Sequence, residues 1–239
     1  HDACRLSQKG SPTYDRVLEN IALLRKNRIE YNILCVVNAY VAAQPRKVFE
    51  SLKEHRYLQF IPCLDGFDGE KKPFSLSSRS YGQFLIETFG LYDKYFQTDE
   101  HVSVRNFDNW IQILLGDMPE NCGMSGQCGQ YYLIEADGGV YPCDFYVLDR
   151  WRMGSILEKS SFFFEKSETA AAFRAESHTL PEACRGCRWL PLCRGGCKRD
   201  REPLLDGIPS ANRLCEGHKM FFEACGERMA RLAEKVSRS

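Results

Sequence analysis

A chain of 239 residues, 44% hydrophobic and 27% charged, is long enough for one or two domains with real cores and reads as soluble and globular. Its 32 Lys and Arg balance its 32 Asp and Glu, so net charge points to neither a nucleic acid nor an anionic membrane surface as partner. No stretch of about 18 apolar residues is present, so no membrane-spanning helix is expected.

The chain opens on His1 within a polar segment that reads as the inside of a domain, so a fragment of a longer protein is expected. Residues 13–27 predict a helix, with Thr13 as N-cap and Tyr14, Val17, Leu18, Ile21 and Leu24 on one face. Residues 29–38 are β-branched and apolar, as in a buried parallel strand. Residues 45–55 predict a second helix with Pro45 at its first position, and 57–65 a second strand. This alternation predicts parallel βα architecture, with sites at the C-terminal strand ends, here Val37–Asn38 and Pro62–Asp65. A loop over 66–76 leads to an amphipathic helix over 77–98, with Tyr81, Phe84, Leu85, Phe89 and Tyr92 inward. Residues 101–109 suggest a short strand and 109–116 a short helix, with a boundary between two halves near 100–120.

In the second half, Asp137-Gly138-Gly139 between apolar runs signals a hairpin whose second strand delivers Cys143 and Asp144. Residues 154–176 predict helix. Residues 184–202 hold too much Cys, Gly and Pro for regular structure and read as a wrapping loop; residues 215–237 close the chain with a charged helix.

Twelve cysteines are unevenly spread. Cys4, Cys35 and Cys63 are isolated; Cys35 and Cys63 lie in apolar strands and read as small buried hydrophobes. Cys122, Cys128, Cys143, Cys184, Cys187, Cys193, Cys197, Cys215 and Cys225 crowd the second half; Cys4 and Cys225 read as free thiols. A disulfide scaffold fits poorly, because the front half has ordinary core patterning. Leaving Cys225 aside, the crowded set supplies eight thiolates, enough for two four-thiolate sites, and spacing leaves zinc and iron–sulfur clusters both open. Arg194-Gly195-Gly196 would let backbone amides point at sulfur. Reactive thiolates imply an anaerobic or reducing cytoplasm.

Six segments together resemble the radical S-adenosylmethionine enzymes with a SPASM domain, most closely the anaerobic sulfatase-maturating enzymes: HDACR (1–5), IEYNILCVVN (29–38), LQFIPCLD (58–65), CGMSGQC (122–128), VYPCDFYVLDRWRMG (140–154) and CRGCRWLPLCRGGCKRDRE (184–202). The resemblance implies an α/β fold: the C-terminal part of a partial (β/α)6 barrel over 1–110, then a cysteine-rich SPASM domain over 111–239 with two auxiliary [4Fe-4S] clusters. It assigns Cys122, Cys128, Cys143 and Cys197 to one cluster and Cys184, Cys187, Cys193 and Cys215 to the other. It makes Asp144 the base that deprotonates the target side chain, and places Arg5 and Leu64 against S-adenosylmethionine. The implied reaction oxidises a Cys or Ser of a sulfatase polypeptide to formylglycine, with a flavodoxin or ferredoxin as electron donor. A deoxyadenosyl radical removes a hydrogen, a base removes a proton, and an acceptor takes one electron. Asp144 beside an anionic cluster suits the base, since like charge makes a carboxylate a better one.

No CxxxCxxC occurs, so the third, radical-generating cluster of the family has no ligands here, and the chain is expected to lack the first barrel strands and, alone, to be inactive. Half a barrel would expose strand edges and apolar surface. Tyr141, Phe145 and Tyr146 are expected in the core, and Lys198, Arg199 and Arg201 in a solvated loop. Two other readings stand beside this one: a SPASM enzyme that modifies another peptide, and a non-catalytic module binding clusters or zinc.

Overall fold

In a computed structural model describing residues 1–96, 98–205 and 208–238, the alternation at the front becomes a parallel sheet of three strands, ordered β1-β2-β3. After α1 (Tyr14–Lys26) come β1 (Ile33–Val37), α2 (Ala39–Ala42), α3 (Pro45–Leu52), β2 (Tyr57–Pro62), α4 (Ser78–Tyr95), β3 (Ser103–Val104) and α5 (Arg105–Leu115). β1 pairs with β2 from Ile33 opposite Leu58 to Val37 opposite Pro62. Pro45 sits in the first turn of α3, where no intrahelical N–H is needed. Ser77 caps α4, its Oγ accepting from the Ser80 N–H at 3.1 Å.

All five inward residues expected on α4 are buried. They meet Phe107 and Trp110 of α5 and Phe221, Phe222 and Met229 of the last helix in one aromatic core. The sequence separation is closed by a close crossing. A Cβ on Gly217 would strike the Ser78 carbonyl oxygen, and one on Gly82 would lie 2.7 Å from Gly217 Cα. Gly217→Ala is therefore expected to destabilise the chain by about 1–3 kcal/mol, because backbone cannot yield as a side-chain tip does. Denaturant unfolding checks this; an unchanged midpoint would refute so close a crossing.

The second half continues with α6 (Cys122–Ser125), β4 (Leu133–Ile134), β5 (Gly139–Tyr141), β6 (Gly154–Ser155), α7 (Ser161–Glu165), α8 (Glu168–His178), α9 (Glu182–Arg185), α10 (Leu190–Cys193), β7 (Leu204–Leu205), β8 (Ile208–Pro209) and α11 (Cys215–Val236). The expected hairpin is β4–β5, its turn held by Asp137 Oδ1 accepting from the Gly139 N–H at 2.8 Å.

Several expectations are corrected. The apolar face of α1 forms but is not buried, and Leu34 and Val36 of β1 are 55% and 38% exposed, so β1 is covered on one face only. Exposed apolar surface is thus present, as expected. Residues 101–109 give only a two-residue strand; helix α5 starts at Arg105, because Asn106 uses its side-chain amide on the Phe60 backbone, accepting its N–H at 3.0 Å and donating to its carbonyl at 3.1 Å. Gly154–Ser155 pairs with β5 instead of starting a helix. The segment 184–202 is not without regular structure: it takes in the end of the one-turn helix α9, closed by Gly186, the one-turn helix α10, closed by the left-handed Arg194, and a 3-10 turn over Lys198–Arg201, because runs this short fit between the Gly residues.

Candidate functional site

Four thiols distant in sequence face one another. Cys122 opens α6, whose cap residue Asn121 accepts the Gly123 N–H at 3.0 Å. Cys128 is anchored by its N–H to Ser177 Oγ of α8 at 2.9 Å. Cys143 follows β5, and Cys197 begins the 3-10 turn. These four line one small cavity of about 30 Å³ together with Tyr131, Phe145 and Lys198. Donors point at sulfur, among them Tyr131 O–H to Cys143 Sγ at 3.3 Å and the Arg199 N–H to Cys197 Sγ at 3.4 Å. Burial pushes the Cys143 thiol up to about 11 and Cys197 to about 12; Cys122 and Cys128 add to the Cys197 shift through their own charge.

The second set gathers at α9, α10 and the start of α11. Burial pushes Cys193 up to about 11, and the charges of Cys215, Cys184 and Cys187 reinforce it, while the Gly195 N–H opposes it. Burial likewise raises Cys184, with Cys215 and Cys187 adding. Among the described residues, no three His, Cys, Asp or Glu side chains converge at single-ion distance. The first set surrounds a space rather than a point, in protein with N–H and O–H donors to sulfur. That donor set suits a cluster of several irons better than one tetrahedral ion.

A second cavity of about 630 Å³ runs from the end of β2 to both thiol sets. Pro62, Leu64, Asp144, Phe145, Cys122 and Cys193 all reach it. The structure thus joins Leu64 and Asp144 in one space, with Asp144 Oδ1 3.5 Å from Cys143 Sγ. Arg5 is exposed and does not line this cavity, although its neighbour Cys4 lies near enough for its charge to act on Cys63. Of the two strand ends expected at a site, only that of β2 contributes; Asn38 instead caps α2, accepting the Val41 N–H at 3.0 Å.

Phe145 is corrected from core to cavity wall, 39% exposed, whereas Tyr141 and Tyr146 are buried as expected. Lys198, Arg199 and Arg201 are buried, not solvated. Arg201 donates to the Thr179 and Ser177 carbonyls at 2.7 and 2.8 Å, and Arg199 to the Asp65 carbonyl at 2.7 Å, tying the cysteine-rich turn to the end of β2. Cys35 and Cys63 pack partly buried against the core, and Cys225 is buried within it. Sequence reasoning passed over Arg105, Asn106 and His218, which also line the larger cavity. Arg105 and Asn106 stand where β3 ends, so the strand-end rule applied to β3 would have found them. His218, among Tyr81, Trp110 and Phe222, is driven down to about 4 by burial, then by Arg213, and its Nδ1 has no hydrogen-bond partner.

Residues 122–188 match the SPASM family, described as an iron-sulfur cluster-binding domain. A cysteine-type anaerobic sulfatase-maturating enzyme of Clostridium novyi is 38% identical over 99% of this chain and 64% of its own length. A serine-type enzyme of Bacteroides thetaiotaomicron is 29% identical over 93% of this chain and 58% of its own length. The solved structure of native anSMEcpe with bound AdoMet and Kp18Cys peptide superposes with a TM-score of 0.93 at 35% identity, covering 98% of this chain and 66% of that one. The chain spans less than two thirds of the length of the curated relatives named here.

Proposed function

We propose that, over the span it covers, this chain is an anaerobic sulfatase-maturating enzyme, the cluster-bearing, substrate-facing part of an enzyme that oxidises a Cys or Ser in a sulfatase polypeptide to formylglycine. In this reading residues 1–110 belong to a partial (β/α)6 barrel and 111–239 to a SPASM domain. Cys122, Cys128, Cys143 and Cys197 hold one [4Fe-4S] cluster, and Cys184, Cys187, Cys193 and Cys215 another. What supports the ligand sets is the grouping of the thiols themselves, above all the position of Cys197 with the earlier three instead of with nearby Cys193. When bound, the clusters supply one-electron acceptors, and S-adenosylmethionine with a third cluster supplies the hydrogen-abstracting radical.

The chain's own residues have plain tasks. Asp144 takes the proton from the substrate thiol or hydroxyl at the cavity wall. Phe145 beside it keeps that wall apolar and excludes water. Tyr131 holds Cys143 by its O–H. Leu64 at the end of β2, with Arg5 from the N-terminal segment, is assigned to S-adenosylmethionine. The relative with bound AdoMet and a peptide supports a peptide substrate for the 630 Å³ cavity. A reducing cytoplasm and a flavodoxin or ferredoxin donor complete the proposal; no helix is long and apolar enough to cross a membrane among the described residues. These residues contain no CxxxCxxC, so cleavage of S-adenosylmethionine is not expected of them by themselves.

The test is iron, sulfide and zinc in the anaerobically purified chain. About eight iron and eight sulfide are expected per chain. Two zinc without sulfide would replace the electron-acceptor role with a structural metal module.

A further inference from the structure

Lys198 follows Cys197 directly, and its side chain is 3% exposed. Its Nζ lies 4.0 Å from the ring centre of Phe173, 4.5 Å from that of Trp151 and 4.7 Å from that of Tyr146. A Glu176 carboxylate oxygen stands 2.8 Å away, on a side chain 41% exposed, and no hydrogen bond of good geometry satisfies the ammonium. Burying an ammonium is costly, and three ring faces with one half-exposed carboxylate offset only part of that cost. The remaining neighbour is the four-thiol cavity, which Lys198 also lines.

Of the described residues lining that cavity, Lys198 carries the one Lys, Arg, Asp or Glu side chain. Other charges nearby are otherwise committed. Arg199 and Arg201 donate to backbone carbonyls, Asp200 is paired with Arg213 at 2.7 Å, Glu202 accepts from the Tyr146 hydroxyl at 2.9 Å, and Asp144, 3.5 Å from Cys143 Sγ, lines the larger cavity.

We propose that Lys198 is a positioning residue that sets the reduction potential of the cluster held by Cys122, Cys128, Cys143 and Cys197. The inference rests on the ligand sets proposed above. A cluster gains one negative charge when it accepts an electron, taken from the substrate in turnover or from dithionite in a titration. A buried cation at its edge stabilises that reduced form, because little water screens the pair. The caging rings hold the ammonium at one distance, and Glu176 tempers it from the solvent side.

The experiment is an EPR-monitored redox titration of the anaerobically reconstituted chain, with iron and sulfide counted for every variant. Lys198→Gln is expected to keep its iron and to lower the reduced-to-oxidised ratio of one cluster at least tenfold at fixed potential. That is a midpoint about 59 mV more negative. The wave of the other cluster stays in place, and Lys198→Arg restores the first. Glu176→Gln is expected to move the same wave in the opposite direction. Full cluster content with that wave unmoved in both Lys198→Gln and Glu176→Gln would overturn the proposal. If Lys198→Gln holds no cluster, Glu176→Gln decides alone by the sign of its shift. A wild-type chain without four-iron signals would instead refute the cluster reading itself.

Discussion

Replacing Cys197 by Ser is expected to remove about four of the eight irons, and adding Cys128→Ser is expected to remove no more, because both thiols serve one cluster. Cys193→Ser should remove the other half, and the double variant Cys193→Ser/Cys197→Ser nearly all. Iron and sulfide counts with EPR of the reduced chain read this directly. If the ligand sets instead followed sequence proximity, Cys193 and Cys197 would share a cluster and the double variant would lose only half.

The physical reason for the split lies in three successive left-handed residues. Arg194, Gly195 and Gly196 have φ of 51°, 83° and 71°, which reverses the chain between the two cysteines. Gly126, in the loop carrying Cys122 and Cys128, approaches the Arg194 backbone so closely that a Cβ there would strike its carbonyl oxygen. The turn therefore presents Cys193 toward α11 and Cys197 toward α6.

Asp144→Asn is expected to lower peptide oxidation by about 10²–10⁴-fold while leaving iron content unchanged, as removal of a general base does. The measurement needs a chain extended by the CxxxCxxC barrel segment of a relative, with aldehyde product and 5′-deoxyadenosine both quantified. Hydrogen abstraction should continue, so cleavage of S-adenosylmethionine becomes uncoupled from aldehyde formation. Undiminished coupling in the Asn variant would remove Asp144 from the chemistry and leave its position beside Cys143 as a turn carboxylate. The same extension tests Arg5 and Leu64, of which only Leu64 lines the large cavity in this structure.

The two cysteine sets mark how far local pattern reaches. The number of thiolates, the alternation of helix and strand over 13–65, the inward face of α4 and the hairpin around Asp137 were all legible. Each depends on neighbours within a few residues, where periodicity and turn chemistry act. The pairing of Cys197 with Cys122 was legible only through resemblance, because spacing along the chain carries no direction in space.

The misreadings share one cause. Lys198, Arg199 and Arg201 look like a solvated charge run because a sequence does not display the rings of Tyr146, Trp151 and Phe173 or the carbonyls of Ser177 and Thr179 that receive them. Residues 101–109 look extended because the Phe60 backbone, which Asn106 engages, lies 46 residues away. Phe145 looks like core because an apolar side chain gives no sign of whether it faces packed protein or a cavity wall. By itself the sequence determined the chemistry available, namely eight thiolates, a carboxylate after Cys143 and a parallel βα frame. Only the tertiary structure decided which thiols share a space, which cations are buried against them and which strand end opens into the cavity. Those outcomes depend on contacts between residues tens of positions apart, where packing and desolvation, not local propensity, set the energy.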